Sequence, residues 1–430
     1  MRPERRALAD MVAAERLPTE RAAAITRQRS AAIAAYAFRT TDFYRDLYGS
    51  AGFALADVKQ PENFDLLPPL TKAHIAEERD RIVSRPGRER DRLAVRTGGS
   101  TGAPLLLYND RSAPMAALWW RIYGWWGVHP SDNSAHIYRQ VLTGAAKTKA
   151  AVEWWPTRQV VLNARGATEE DSQRFVEALR RLRPSLLVGY VEAVHAFARF
   201  VERTRALLPP LTAVSVTASV LHPGQRRYIE DVLRAPVFDT YRSAEVPWIA
   251  AECSRRTGLH VLADRRRVDV VDEHSETPLP DGVTGALLVT DFDNRVFPIV
   301  RYRVGDRAQR LADVCPCGRS LTRIGPIDGR IADALHSPTG RSVTGGLSGL
   351  FGPWPGSVRQ FQVHQRADHS IVLRYVPGDD RTRADTVAKA AARALAAMLG
   401  DEVAVTAEPV ETVEAVAGKA RLVVSEVSPP

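Results

Sequence analysis

Cysteine is almost absent, with three in 430 residues. So small and odd a count argues against a disulfide framework of the kind that staples small secreted domains. No apolar run approaches the length of a membrane span, and Met1-Arg-Pro-Glu-Arg-Arg6 leads into an Ala-rich amphipathic stretch, not a signal-peptide core. These absences predict a cytoplasmic protein with no membrane partner. Lysine is scarce too, with six among 59 basic residues, which reads as a bias toward Arg and Ala codons and says little about function. The net charge of +9 lacks the clustering of a nucleic-acid footprint, because arginines run from end to end among 50 carboxylates. Arg265-Arg-Arg267 is the only basic triplet and reads as a solvated turn between strands. No nucleic-acid partner is expected. The positive balance suits anionic small molecules.

What is present is an ordinary globular composition, 45% hydrophobic and 25% charged, with enough length for one large and one small domain. Residues 1–50 read as helical, broken by Pro18, and residues 51–95 as loop-rich, with Pro61, Pro68 and Pro69 as breakers. From Asp171 the pattern alternates: helix 171–183, strand 185–190, helix 192–206, strand 212–218, helix 223–233 and strand 236–240. That rhythm predicts an α/β fold around a mainly parallel sheet. Residues 268–271 and 286–291 look like strands of a more β-rich subdomain. A small α+β unit follows: a hairpin over 359–364 and 370–376, a helix over 383–399 and a strand over 402–407. The expected division is 1–330 and 331–430, without internal repeats. Ser337–Gly356, with six glycines and three prolines, reads as a loop with a functional or interface role.

The densest chemical signal is Arg96-Thr-Gly-Gly-Ser-Thr-Gly-Ala-Pro104, with three glycines and three hydroxyl residues between two strand-like segments. Glycines let backbone N–H groups converge on an anion, and Thr97, Ser100 and Thr101 add hydroxyl donors, so the loop suits phosphate. It lacks both the Lys-Ser/Thr end of a P-loop and the helix-opening G-x-G-x-x-G of dinucleotide folds. A plain glycine-rich turn is the simpler alternative.

This loop resembles the phosphate loop of the adenylate-forming superfamily of acyl-CoA synthetases, adenylation domains and luciferases, and further matches follow in order. Tyr241-Arg-Ser-Ala-Glu245 is similar to Y-G-S/T-x-E, and Tyr302-Arg-Val-Gly-Asp306 to Y-R-T-G-D. Gly329-Arg330 begins a hinge-like segment, and Gly418-Lys419 stands where the family carries its C-terminal lysine. Leu70-Thr-Lys72, Val188-Gly-Tyr190 and Cys315-Pro-Cys-Gly318 resemble the phenylacetate-CoA ligase-like and capsule-biosynthesis adenylating groups. The resemblance implies a large N-terminal domain with mainly parallel sheets and a β-rich subdomain, and a mobile small C-terminal domain. It implies ATP-dependent activation of a carboxylic acid, aryl or small, as an acyl-AMP with pyrophosphate release, then transfer to CoA or an amine. The protein would be a monomer or homodimer.

By the same resemblance, Thr97, Gly98, Gly99, Ser100, Thr101 and Gly102 hold the β- and γ-phosphates. Glu245 holds Mg²⁺, a hard cation that prefers carboxylate oxygen. Asp306 accepts hydrogen bonds from the ribose hydroxyls. Thr217, Ala218 and Ser219, with Asp239 and Thr240, line the nucleotide, and Tyr241 stacks on adenine. Lys419 reaches the cleft to stabilise charge shared by the attacking carboxylate and the α-phosphate. Taken singly, Glu245 or Asp306 is a surface carboxylate and Lys419 a surface lysine.

Cys253, His260, Cys315 and Cys317 use every cysteine in the chain. Three thiolates and one imidazole suit tetrahedral structural Zn²⁺, and some phenylacetate-CoA ligase-like proteins resemble this in carrying zinc there. Three reduced cysteines beside a packed histidine are the alternative.

Three departures bear on the family pattern. Ala103 replaces a phosphate-loop lysine, and Ala332 replaces the first hinge aspartate, which puts the domain rotation in question. Arg242 replaces the glycine of Y-G-S-x-E beside the reacting carboxylate. Its guanidinium either turns to solvent or enters the acyl pocket and binds an anion, which hints at a small or doubly anionic acid, or an oxyanion such as nitrite. The pairs Trp119-Trp120 and Trp125-Trp126 serve either an aryl pocket or helix packing. A non-catalytic nucleotide-binding protein is the competing class, against which Glu245, Asp306 and Lys419 speak together.

Overall fold

The computed structural model describes residues 2–96, 105–138, 157–164, 167–221, 223–328, 335–343, 356–378, 380–411 and 422–427, with a few single positions between these stretches. A hairpin of β1 (Arg92–Arg96) and β2 (Leu106–Asp110) precedes the main sheet. Five parallel strands follow: β3 (Ser134–Tyr138), β4 (Gln159–Asn163), β5 (Leu186–Tyr190), β6 (Ala213–Thr217) and β7 (Val237–Tyr241). They lie in the order β4-β3-β5-β6-β7.

The sheet does not stop at β7. It continues antiparallel through β8 (Ala250–Glu252) and β9 (Leu259–Val261) to β10 (Arg266–Val271), β11 (Thr284–Asp291), β12 (Tyr302–Leu311) and β13 (Arg323–Ile324). The full order is β10-β11-β12-β13-β9-β8-β7-β6-β5-β3-β4, so the expected β-rich region extends the α/β sheet as one ladder.

The central strands β5 and β6 are short apolar runs buried on both faces, as helical crossovers require. Helix Glu169–Leu182 begins at Thr168, whose hydroxyl accepts from the Asp171 amide while the Asp171 carboxylate accepts from the Thr168 amide, each at 3.1 Å. Phe175, Val176 and Leu179 recur on one face of this helix and Val194, Phe197 and Val201 on one face of Val191–Thr204; both faces pack on Leu187, Val214 and Val216. Each such burial contributes about 1.5–3 kcal/mol. Gly189 lets β5 approach this layer: a Cβ there would meet Val194 Cγ2 at 2.7 Å and Ile137 Cβ at 3.2 Å.

The opposite face is covered by the N-terminal helices Arg2–Ala14, Thr19–Thr40 and Asp42–Ser50 and by Met115–Trp125. Residues 51–95 hold more helix than their prolines suggest, because Lys72–Ile82 forms behind a Thr71/His74 capping box. Farther on, the hairpin Val358–Gln365 and Ile371–Pro377 is flanked in parallel by Val423–Ser425 and Val405–Pro409. Helix Arg381–Met398 packs on these strands through Val387, Ala391 and Leu395, and their core is separate from the two larger ones. Among the described residues no helix is long and apolar enough to cross a membrane.

Candidate active site

The carboxyl ends of the parallel strands share one edge, where open α/β sheets place ligands. Thr217 ends β6 and Tyr241 ends β7. Ala218 then takes φ of 75°, a left-handed conformation uncommon for a residue with a Cβ, and Ala218 and Ser219 are exposed. Thr240 donates its hydroxyl to the Val216 carbonyl at 2.8 Å, tying β7 to β6. The Asp239 carboxyl is pushed up to about 7 by burial and by the charge of Glu252, against the opposing pull of Arg226. Arg226 holds Glu252 through both carboxylate oxygens at 2.9 Å.

The carboxylates of the two tyrosine-led segments are joined crosswise. Tyr241 donates its hydroxyl to Asp306 Oδ2 at 2.8 Å, and Tyr302 donates to Glu245 Oε1 at 3.1 Å. The tyrosine of each segment therefore fixes the acid of the other, although β7 and β12 are separated in the sheet by β8, β9 and β13. All four side chains are buried. One phenol hydrogen bond uses one of about four acceptor positions on Glu245, a carboxylate well suited to a hard cation.

Thr97, Gly98, Gly99, Ser100, Thr101 and Gly102 lie outside the described residues, as do Ala103, the hinge at Gly329–Asp333 and Gly418. The strands that bracket the first of these segments pair with Arg96 opposite Leu106. Asn109 of β2 donates to the Ala244 carbonyl at 3.5 Å, which sets that hairpin beside Glu245. The backbone of Lys419 pairs with Val416 in a short antiparallel ladder.

Arg242, which follows β7, reaches across the strand ends. It donates to the Tyr138 hydroxyl at 2.5 Å, and its guanidinium carbon lies 4.8 Å from the Trp248 ring centroid and 5.3 Å from that of Tyr138. Tyr138 in turn packs on Tyr190 with centroids 5.3 Å apart. Burial, reinforced by the Arg242 charge, pulls His136 down to about 4 and keeps it neutral near pH 7. Tyr138 and Trp248 were not singled out from the sequence. Tyr138 carries a usable signal, since a tyrosine at the carboxyl end of a parallel strand faces the ligand edge. The tryptophan pairs serve mainly as packing: Trp126 stacks on Phe238 at 4.8 Å, and Trp125 donates to Glu15 at 2.8 Å.

Cys253, His260, Cys315 and Cys317 come together from three places in the chain, with all their ligand atoms within 4.8 Å of one another. Cys253 and Cys315 Sγ are 3.7 Å apart, and Cys317 Sγ lies 3.4 Å from His260 Nε2. A tetrahedral zinc with Zn–S of about 2.3 Å sets sulfurs about 3.8 Å apart, so the donor set fits that ion in type and spacing. Burial pulls His260 down to about 4, leaving the neutral imidazole a metal needs, and pushes the Cys253 thiol up to about 11.

A buried charge cluster braces this group. Arg121 contacts Glu15 at 2.5 Å and Asp264 at 2.6 Å, and Arg319, two residues after Cys317, contacts Glu15 at 2.8 Å. The Trp125 ring sits between Arg319 and His260, 4.8 Å from the first and 5.8 Å from the second.

No family model matches the chain. It is 26% identical over 331 residues to a phenylacetate-coenzyme A ligase of Thermus thermophilus, covering 75% of this chain and 73% of that one. It is 25% identical over 256 residues to Protein CapK of Staphylococcus aureus, covering 57% and 54%. Among solved structures, 2-hydroxyisobutyryl-CoA ligase in its postadenylation state matches with a TM-score of 0.78 at 20% identity, over 96% of this chain and 91% of that one. The fold is thus shared along nearly the whole chain, and the sequence likeness to the Thermus thermophilus ligase covers 75% of it. With the crosswise tyrosine–carboxylate pairs at the sheet edge, these matches ally the chain in sequence with a phenylacetate-coenzyme A ligase and Protein CapK, and in fold with 2-hydroxyisobutyryl-CoA ligase.

Proposed function

We propose that this chain activates an aryl or small carboxylic acid with ATP and Mg²⁺ as an acyl-AMP, and then passes the acyl group to CoA or another nucleophile. The observation that carries this reading is the crosswise pairing of Tyr241 with Asp306 and Tyr302 with Glu245 at the ligand edge. A carboxylate oxygen of the acid attacks the α-phosphorus of ATP. The bond from that phosphorus to the bridging oxygen breaks, and pyrophosphate leaves in line. In the second half, the thiolate of CoA attacks the acyl carbon and AMP departs.

Thr97–Gly102 hold the outer phosphates, Thr217–Ser219 and Asp239–Tyr241 line the adenine side, and Asp306 accepts from the ribose. Glu245 is the protein ligand for Mg²⁺, which when bound neutralises phosphate charge. Lys419 supports the charge that develops at the α-phosphate. Zinc on Cys253, His260, Cys315 and Cys317 would be structural, because four protein ligands close its shell. The protein works in the cytoplasm as a monomer or homodimer, divided near residue 330, without nucleic-acid or membrane partners. A second reading keeps the acyl-AMP but delivers it to an amine without CoA; Ala332, which departs from the hinge pattern G-R-x-D-D that the segment resembles, favours it.

Calorimetry with Mg-ATP and a pyrophosphate-release screen over aryl and small aliphatic acids, each with and without CoA, test these readings. Nucleotide uptake and acid-dependent pyrophosphate are expected. Thioester formation selects the first reading and its absence the second. Failure to take up ATP would remove both.

A further inference from the structure

Arg242 is a cation set among aromatic rings without a carboxylate. Its hydrogen-bond partner is the neutral Tyr138 hydroxyl, and its remaining close neighbours are the faces of Tyr138 and Trp248. Among the described residues no carboxylate ion-pairs with it, and its nearest electrostatic neighbours are the phenols of Tyr138, Tyr123 and Tyr190. Glu245, three residues along, is engaged by Tyr302. A guanidinium offers five N–H donors in a planar fork, and one phenol accepts from few of them. Cation–π contact offsets part of the lost hydration and supplies no hydrogen-bond acceptor in the plane of the fork.

The strand ends beneath it are polar in the same way. Thr217 stands in register with Tyr190, and Ser215 with Val188, so both hydroxyls face the layer that holds Tyr138 and Tyr190. Thr217 Oγ1 and Ser215 Oγ are buried, and among the described residues neither has a hydrogen-bond partner. Buried hydroxyls without partners in a native protein call for a ligand or water. One cation with unspent in-plane donors thus stands at the strand ends, and the Thr217 hydroxyl at the end of β6 lies on the sheet face that carries Tyr138 and Tyr190.

We propose that this place reads a second anionic group on the acid: the substrate is a compact dianionic acid, one carboxylate of which is adenylated while the other seats on the Arg242 fork. This rests on the ligase reading above. A planar carboxylate matches the guanidinium in bidentate fashion, and the Tyr138 and Trp248 rings hold the fork in place. A monoacid of the same skeleton leaves the cation unmatched, which is how a polar site rejects an analogue that lacks the expected group.

The test uses the full chain with Mg-ATP and matched acids: succinate against butyrate, and phthalate and terephthalate against benzoate. Acid binding is followed by calorimetry and turnover by pyrophosphate release, for wild type and for Arg242→Gln and Arg242→Lys, with ATP binding as the check on folding. At least one diacid is expected to exceed its monoacid twin by on the order of 10²-fold in kcat/KM. That preference should collapse in Arg242→Gln and recover only in part in Arg242→Lys, which keeps the charge without the fork. Pyrophosphate release that favours monoacids, or diacid binding undiminished in Arg242→Gln, would overturn the proposal and leave the ligase reading standing. Diacid binding lost in Arg242→Gln, with no pyrophosphate from any acid, would keep the pocket and remove the ligase reading.

Discussion

Two arginines, both among aromatic rings, have opposite surroundings. Arg121 is fully enclosed and meets Glu15 and Asp264, with Arg319 sharing the first of these and Trp125 packed alongside. Arg242, just after β7, meets a phenol and an indole. The first cluster is electrically closed and lies next to the cysteine–histidine group, where chemistry is not wanted. The second is open on the edge where the motif carboxylates gather. A matched buried charge marks a brace, and an unmatched one at a strand end marks a place for something that arrives.

Breaking the closed cluster should have the largest effect. Arg121→Met leaves two buried carboxylates short of a partner and is expected to lower stability by about 3–5 kcal/mol, whereas Arg242→Met, which removes an uncompensated charge, shifts it by about 1 kcal/mol or raises it. Denaturant titration of both variants makes the comparison directly, and equal losses would erase the distinction. Next comes the metal. If zinc occupies its cluster at a thousandfold excess over Kd, stripping it with a chelator costs about 4 kcal/mol. Thermal unfolding should report that loss, and metal analysis well below one equivalent per chain would exclude zinc there.

Lys419→Ala sharpens the contrast from the catalytic side. It should slow pyrophosphate release by on the order of 10²- to 10³-fold, about 2.7–4 kcal/mol, while ATP affinity stays nearly intact. Turnover at the wild-type rate would take Lys419 out of the mechanism. The last effect depends on pH and concerns Asp239. Its folded-state pKa, near 7, lies above its unfolded value, so between about pH 4 and pH 7 the folded protein holds the extra proton. Stability contributed by that proton is present at low pH and declines as pH rises through this window. Asp239→Asn should flatten the slope, measured as unfolding free energy against pH.

Much of this was legible in the sequence, for identifiable reasons. The alternation between 171 and 240 specified β5, β6 and β7 but not β3 and β4, because helices with one apolar face and strands buried on both faces leave different periodicities. The cysteine cluster was legible because so few cysteines were available. The single eleven-stranded sheet was not, since antiparallel continuation from β7 to β8 depends on pairing between Tyr241 and Ala250 and on no local composition. Nor was the crosswise bonding of Tyr241 with Asp306 and Tyr302 with Glu245: each segment carries its own tyrosine and acid, and only the approach of β12 to the end of β7 decides which tyrosine serves which. The partners of Arg242 were hidden because Tyr138 lies about a hundred residues upstream, on a strand three places across the sheet.

Glu15 carries a consequence for biosynthesis. It lies between the first two helices, and its carboxylate and carbonyl receive Arg319 and Ser320, some three hundred residues later. During synthesis these two bonds to Glu15 therefore form only after the Cys315–Ser320 turn has emerged. Contacts of such sequence separation slow folding and leave apolar surface waiting. Until that turn is made, Glu15 has Arg121 and Trp125 as its partners, and the joint between these two helices is only half anchored.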